Sequence, residues 1–286
     1  MRNAMDYKRK NVQPNWCPGC GNFGIDAAIK MALAKLDRDP NQTVLVGGIG
    51  CGSNLPYWSD TYGLVTLHGR PLPIAVGIKR ANDALQVIVT AGDGDTYGIG
   101  MGHFIHAIRA DVPIVCIVGN NGVYGLTKGQ ASPTAKRGRI TPSTPQGAPY
   151  VPINPLALAM AAGGRFVARG YAGMVPMLAD LIAEAMQYRG FALIDVLQPC
   201  VVYNKNFDYA YYQSRVVDAR ASGHDSGDKT AAFQLALMSE DKKIPIGVIY
   251  KETNATLEPV AGCSFIEAND IGDMQPLFEQ YSQFKK

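Results

Sequence analysis

Four short apolar runs set the limits on what this chain can fold into. Thr43-Val44-Leu45-Val46, Val87-Ile88-Val89-Thr90, Pro113 to Val118 and Phe191 to Leu197 are continuous rather than alternating. That is the pattern of strands buried on both faces of a parallel sheet. The first runs into Gly47-Gly48-Ile49-Gly50, the second into Gly92-Asp93-Gly94 and the third into Gly119-Asn120-Asn121. Helical periodicity fills the gaps, over Ile25–Leu36, His103–Ala110 and Met174–Tyr188. The alternation predicts an α/β fold with a doubly wound, mostly parallel sheet, whose ligand sites lie at the carboxyl ends of the strands. The three Gly- and Asn-rich turns fall at such ends.

With 286 residues the chain can bury a full core. Residues 1–203 read as the ligand-binding domain, with 131–150 as an ordered loop or lid rich in Pro, Thr and basic residues. From 204 to 286 the texture becomes Tyr-rich and polar, with one strand-like piece at Ile246–Tyr250. This reads as a C-terminal extension packed on the same domain or on a partner subunit. A net charge of +3 is too small to argue for nucleic acid or a membrane surface. Lys128, Lys136, Arg137 and Arg139 gather in the loop region, as a patch for an anionic ligand or as a solvated face. No apolar run approaches the roughly 18 residues of a spanning helix. The first residues lack the apolar segment of a secretory signal. A cytoplasmic, reducing setting follows, in which six cysteines serve as metal ligands or core thiols rather than disulfides.

Gly92-Asp93-Gly94 at one strand end and Asn120-Asn121 at the next can hold a diphosphate and its metal. Magnesium wants oxygen ligands in octahedral geometry, partly from the phosphates themselves. Asp93 supplies a carboxylate, Asn121 a side-chain amide oxygen and Val123 a backbone carbonyl. The glycines let backbone N–H groups approach anionic oxygens without a Cβ in the way, and a helix beginning just after Asp95 would add its N-terminal dipole. Gly-Asp-Gly alone is a weak signal. Joined to Asn-Asn at this spacing it resembles the signature of thiamine-diphosphate enzymes. Nucleotide sites fail on pattern, since neither a phosphate-loop motif nor a complete dinucleotide fingerprint is present.

Cys17-Pro18-Gly19-Cys20 is a knuckle with two thiolates facing one ion or cluster. Cys51 stands between glycines, and Cys200 ends Gln198-Pro199-Cys200. Four cysteines fit structural zinc, although zinc knuckles usually come as two nearby Cys-x-x-Cys pairs. Glycines beside Cys20 and Cys51 would free backbone N–H groups for cluster sulfurs. Spacing alone leaves zinc and an iron–sulfur cluster even. Cys116 lies inside an apolar run and reads as a core thiol; Cys263 reads as a plain loop cysteine.

Asn15 to Asn22, Gly48-Ile49-Gly50-Cys51, His68-Gly69-Arg70, Gly92-Asp93-Gly94-Asp95 and Tyr124 to Gln130 together resemble the β subunit of 2-oxoacid:ferredoxin oxidoreductases, in order over roughly residues 10–205. The resemblance implies a thiamine-diphosphate-binding fold that supplies the diphosphate half of the site. It implies a 4Fe-4S cluster on Cys17, Cys20, Cys51 and Cys200, in place of zinc. It implies that Ile49, Gly50, Cys51, Gly52 and His68 contact the cofactor, with Gly94, Asp95, Gly125 and Leu126 around its diphosphate. His68 and Lys128 are the implied catalytic residues, although His68 taken alone would more often be structural and Lys128 a solvated lysine.

The implied reaction is oxidative decarboxylation of a 2-oxoacid with coenzyme A to acyl-CoA and CO₂, with electrons passed through the cluster to ferredoxin. The glutamate that usually activates the cofactor's aminopyrimidine ring has no convincing counterpart here. A separate α subunit is implied to carry that half. Asn54 stands where some relatives carry a basic or different residue, which bears on the choice of 2-oxoacid. The compact chain with one cluster motif looks most like the two-subunit, 2-oxoglutarate or broad-range type of the family, with 2-oxoglutarate favoured and pyruvate and a cluster-free thiamine lyase as the alternatives.

Overall fold

The strand expectations locate most of the sheet. The computed structural model describes residues 2–238 and 243–252. Its strands are β1 (Thr43–Gly47), β2 (Tyr62–Val65), β3 (Gln86–Gly92), β4 (Val115–Asn120), β5 (Val123–Tyr124), β6 (Gln130–Ala131), β7 (Phe166–Tyr171), β8 (Ala192–Leu197), β9 (Val216–Asp218) and β10 (Ile244–Lys251). Its helices are α1 (Asn22–Lys35), α2 (Leu55–Trp58), α3 (Pro71–Ala81), α4 (Met101–Ala110), α5 (Pro155–Ala161), α6 (Val175–Gln187), α7 (Tyr209–Gln213) and α8 (Lys229–Ala236). Eight strands form one sheet in the order β2-β1-β3-β4-β8-β7-β10-β9, and β5 pairs with β6 apart from it. Every pair in the large sheet is parallel except β10 with β7.

Successive side chains of each strand go to opposite cores. Leu45, Ile88, Ile117 and Ile194 join α1 and α6 on one side. Val46, Val89, Cys116 and Leu193 join α3, α4, α5 and α8 on the other. Ile29 and Leu33 of α1 are fully buried, each such side chain contributing about 1.5–3 kcal/mol relative to exposure. Three of the helices begin on polar caps. Asn154 accepts from Ala157 N with Pro155 in the first turn, Asp208 accepts from Tyr211 N, and Asp228 accepts from Thr230 N and Ala231 N.

Two of the strands absent from the sequence reading, β2 and β7, differ from the buried apolar runs. β2 is a four-residue edge strand with exposed side chains. β7 carries Arg169 in its middle, 3% exposed, with Nε 3.8 Å from Asp195 Oδ2 on β8. A buried charge is tolerated there because its counter-charge lies on the adjoining strand. The helix expected just after Asp95 is preceded by a π-helical turn, Gly94–Ile99, before α4 begins. Beyond residue 203, α7, β9, α8 and β10 lie among the described residues, and β10 sits between β7 and β9 in the sheet. Contacts group Met1–Thr256 as one compact unit. Cys263 and the remainder of the extension lie outside the described residues.

Candidate functional site

The carboxyl ends of β1, β3, β4 and β8 bring the site together. Asp93 follows β3 and is 1% exposed. One carboxylate oxygen accepts from Gly94 N at 2.9 Å. The other accepts from Gly122 N at 3.0 Å and from the hydroxyls of Ser132 and Thr134. Burial pushes the Asp93 carboxyl up, and these four donors pull it back. A cation beside it would favour the ionised form, which fits the magnesium assignment on the chemistry of the donors.

Asn121 follows β4. Its Oδ1 accepts from Val123 N at 3.0 Å, and its own carbonyl accepts from Asn204 Nδ2 at 2.6 Å. An amide oxygen has two lone pairs, so Oδ1 keeps one for a metal. Asn120 turns the other way. It donates to both oxygens of Asp195 at 3.1 and 3.2 Å, and Tyr97 adds a third hydrogen bond to that carboxylate. Gly122 completes the turn at φ +68°.

Asp95 joins two loops of the site. Its Oδ1 accepts from Ile49 N at 3.1 Å and Gly69 N at 2.8 Å, and meets His68 Nδ1. It therefore ties the loop after β1 to the loop after β2. The space it fills explains Gly48, where an added Cβ would lie 1.8 Å from Asp95 Oδ2. That same Oδ2 is buried without a partner, a group that a donor or cation arriving at the site would satisfy. With Nδ1 occupied by Asp95, Nε2 of His68 is the ring nitrogen left for chemistry. The ring stands edge-on to Tyr124, whose hydroxyl donates to Gly94 O at 3.3 Å.

Cys17 and Cys20 precede α1, Cys51 follows β1 and Cys200 follows β8. The four approach one another. Burial pushes the Cys20 thiol up to about 11, the backbone N–H of Asn22 pulls it down, and Cys200, Cys51 and Cys17 push it further. Burial likewise raises Cys51, reinforced by Cys200 and Cys17. Trp16 Nε1 donates to Cys51 O at 2.7 Å. The Asn22 side chain is fully buried with both polar atoms unpartnered, 3.5 Å from where a Cβ on Gly52 would stand. Gly125 approaches Cys51 so closely that its own added Cβ would lie 3.5 Å from Sγ. Among the described residues, no three His, Cys, Asp or Glu side chains are gathered as a single metal ion needs. Cys116 is fully buried in β4, as expected of a core thiol.

Lys128 is exposed at the tip of the turn after Leu126, at φ +74°. An apolar rim surrounds the site, with Ile49 39%, Leu67 76%, Ile99 63% and Leu126 58% exposed. The first glutamate in the chain is Glu184, which pairs with Lys251 at 2.7 Å. Sequence reasoning missed Ser132 and Thr134, and gave Asn120 and Tyr124 no role of their own within the motifs that contain them. Their one signal was position, in a Pro-flanked loop and beside residues already singled out. No helix among the described residues is long and apolar enough to cross a membrane.

Known proteins resemble this arrangement throughout. A family described as thiamine pyrophosphate enzyme, C-terminal TPP binding domain, matches residues 48–196. A second, described as the C-terminal part of the pyruvate ferredoxin oxidoreductase beta subunit, matches residues 200–262. The 2-oxoacid:ferredoxin oxidoreductase subunit beta of Saccharolobus solfataricus is 48% identical over 248 residues, 83% of this chain and 81% of that protein. The 2-oxoglutarate synthase subunit KorB of Archaeoglobus fulgidus is 39% identical over 201 residues, 70% of this chain and 75% of that protein. The 2-oxoglutarate:ferredoxin oxidoreductase of Magnetococcus marinus, solved with 2-oxoglutarate, coenzyme A and succinyl-CoA, superposes with a TM-score of 0.86 at 35% identity, covering 100% of this chain and 96% of that one. With its doubly wound sheet and thiamine-diphosphate domain, this chain belongs to the β-subunit family of the 2-oxoacid:ferredoxin oxidoreductases.

Proposed function

We propose that this chain is the cluster-bearing, diphosphate-binding subunit of an enzyme that converts 2-oxoglutarate and coenzyme A to succinyl-CoA and CO₂ and reduces ferredoxin. The observation that carries it is the loop after β1. Ile49 of that loop is hydrogen-bonded to Asp95, and Cys51, two residues on, faces Gly125. One short segment thus joins the cofactor pocket to the cysteine set.

Asp93, Asn121 and the Val123 carbonyl hold magnesium, with Ser132 and Thr134 orienting the Asp93 carboxylate. Cys17, Cys20, Cys51 and Cys200 hold a 4Fe-4S cluster. The likeness to 2-oxoacid:ferredoxin oxidoreductase β subunits supports the cluster over zinc. Thiamine diphosphate supplies the nucleophilic carbon for the 2-oxo group, and the cluster accepts electrons singly. His68, held through Nδ1 by Asp95, keeps Nε2 as a proton acceptor at the reacting centre. Lys128 offers a cation to a substrate carboxylate.

The apolar rim and the distance of Glu184 from the site support an α subunit that covers the rim and brings the pyrimidine-activating acid. Coenzyme A contacts fall largely on that partner. The location is cytoplasmic. Pyruvate is the second reading, favoured by the family description matching residues 200–262. Co-expression with the partner, oxygen-free purification and assay of several 2-oxoacids with a viologen acceptor test the proposal. Iron, sulfide and thiamine in the protein with highest kcat/KM for 2-oxoglutarate are expected; iron-free protein would sink it.

A further inference from the structure

Gln198 follows β8 and is 2% exposed. Its side chain touches both centres. Nε2 donates to Cys20 Sγ at 3.4 Å, and Oε1 accepts from Asn121 Nδ2 at 2.9 Å. The backbone sets the direction of this chain of bonds. Val123 N–H can only donate, and it donates to Asn121 Oδ1 at 3.0 Å. Asn121 Nδ2 is then the atom facing Gln198, so Gln198 must present its oxygen there and its nitrogen to the sulfur. Main-chain bonds hold the same alignment, from Gln198 N to Asn120 O at 2.9 Å and from Gly21 N to Pro199 O at 3.1 Å. Two glycines make the room. A Cβ on Gly21 would meet Gln198 Cγ at 2.7 Å, and one on Gly119 would meet Oε1 at 3.0 Å.

We propose that Gln198 is a positioning residue that couples the two centres, holding the Asn121 amide for magnesium while donating to the cluster cysteine Cys20. This rests on the roles of Cys20 and Asn121 in the proposed function. An N–H donor to a ligating sulfur stabilises the extra negative charge of a reduced cluster and raises its potential. A cation on Asn121 Oδ1 polarises that amide, strengthens its Nδ2 donation, and through Gln198 strengthens the bond to sulfur. Loading of cofactor and magnesium therefore makes the cluster a better electron acceptor.

The test uses the holoenzyme with its partner subunit, as wild type, Gln198→Leu and Gln198→Glu. Cluster potentials come from titrations followed by electron paramagnetic resonance, with and without thiamine diphosphate and magnesium. The wild-type potential should become more positive on loading. Both variants should start more negative and lose the shift, since neither can donate to Cys20. Magnesium–cofactor affinity should fall about 10- to 100-fold in Gln198→Leu and recover in Gln198→Glu, whose carboxylate still accepts from Asn121. A wild-type potential and shift in either variant, or unchanged cofactor affinity in Gln198→Leu, overturns the inference. Iron and sulfide analysis of the wild type separates the two failures. Cluster-free protein sinks both readings, whereas loaded protein with unaltered variants sinks only the role of Gln198.

Discussion

The turn built on Asp93 and Asn121 and the rim built on Ile49, Cys51 and His68 meet at one end of the sheet, yet they are constructed differently. At the turn, nearly every polar atom has a partner. Asp93 receives four hydrogen bonds, and Asn120 and Asn121 are each held from both sides. At the rim, Asp95 Oδ2 and both polar atoms of Asn22 are buried without partners, while Ile49, Leu67, Ile99 and Leu126 face outward. The turn is organised by this chain alone. The rim is organised for something added to it, whether a cluster, a cofactor or a partner.

The largest expected effect strikes the turn. Asp93→Ala should weaken thiamine diphosphate binding by roughly 100-fold or more, because the proposed magnesium ligand is lost along with the acceptor of the Ser132 and Thr134 hydroxyls. Its iron content should stay at the wild-type level, and calorimetric titration beside iron analysis reads both. Equal loss of iron would break the distinction between the regions. Cys51→Ser attacks the other side. It should abolish the visible absorbance of the cluster while leaving cofactor affinity within about threefold, an allowance that reflects second-sphere effects short of the usual tenfold.

Asp95→Asn sharpens the comparison at its seam, since Asp95 ties the rim to the strand that carries Asp93. The variant keeps an acceptor for Ile49 N and Gly69 N but loses the charge opposite His68. We expect kcat to fall about tenfold, the low end for a general acid–base contribution, with little change in cofactor affinity. An unchanged kcat would remove His68 from proton handling.

The smallest effect is chemical. In cluster-free protein Cys20 should alkylate slowly and Cys17, which is exposed, readily. Labelling of Cys20 should climb until about pH 11, where its thiol ionises. The linkage has a definite sign. A thiol whose folded pKa is raised contributes stability below its ordinary value of 9.0, lost as pH rises through about 11. Thermal melts of the cluster-free protein across that window should show the decline.

Much of this was legible in the chain. β1, β3, β4 and β8 are buried on both faces, so their sequences are unbroken apolar runs, and the glycines and asparagines that close them had to lie at the strand ends. Asp93, Asn121 and the four cysteines stand in local patterns and could be singled out. What was not legible depends on neighbours distant in sequence. β7 is hidden by Arg169, whose charge interrupts the apolar run and meets Asp195 on the neighbouring strand. Ser132 and Thr134 look like ordinary residues of a Pro-rich loop until the fold sets them on Asp93. The motif places Asp95 beside the expected diphosphate but gives no sign that it also joins the loops after β1 and β2.

The ion pair between β7 and β8 has a consequence for assembly of the molecule. Arg169 and Asp195 are direct partners across the two strands. A slip of one residue would turn the charge on the slipped strand toward the opposite helical layer and separate it from its counter-charge. Stranding one member of such a pair costs about 3–5 kcal/mol, a large share of the roughly 5–15 kcal/mol that holds a domain folded. Mispaired sheets are thereby disfavoured during folding, before any ligand arrives. Asp195 also accepts from Asn120, so the same proofreading of strand alignment fixes where the catalytic end of β4 comes to rest.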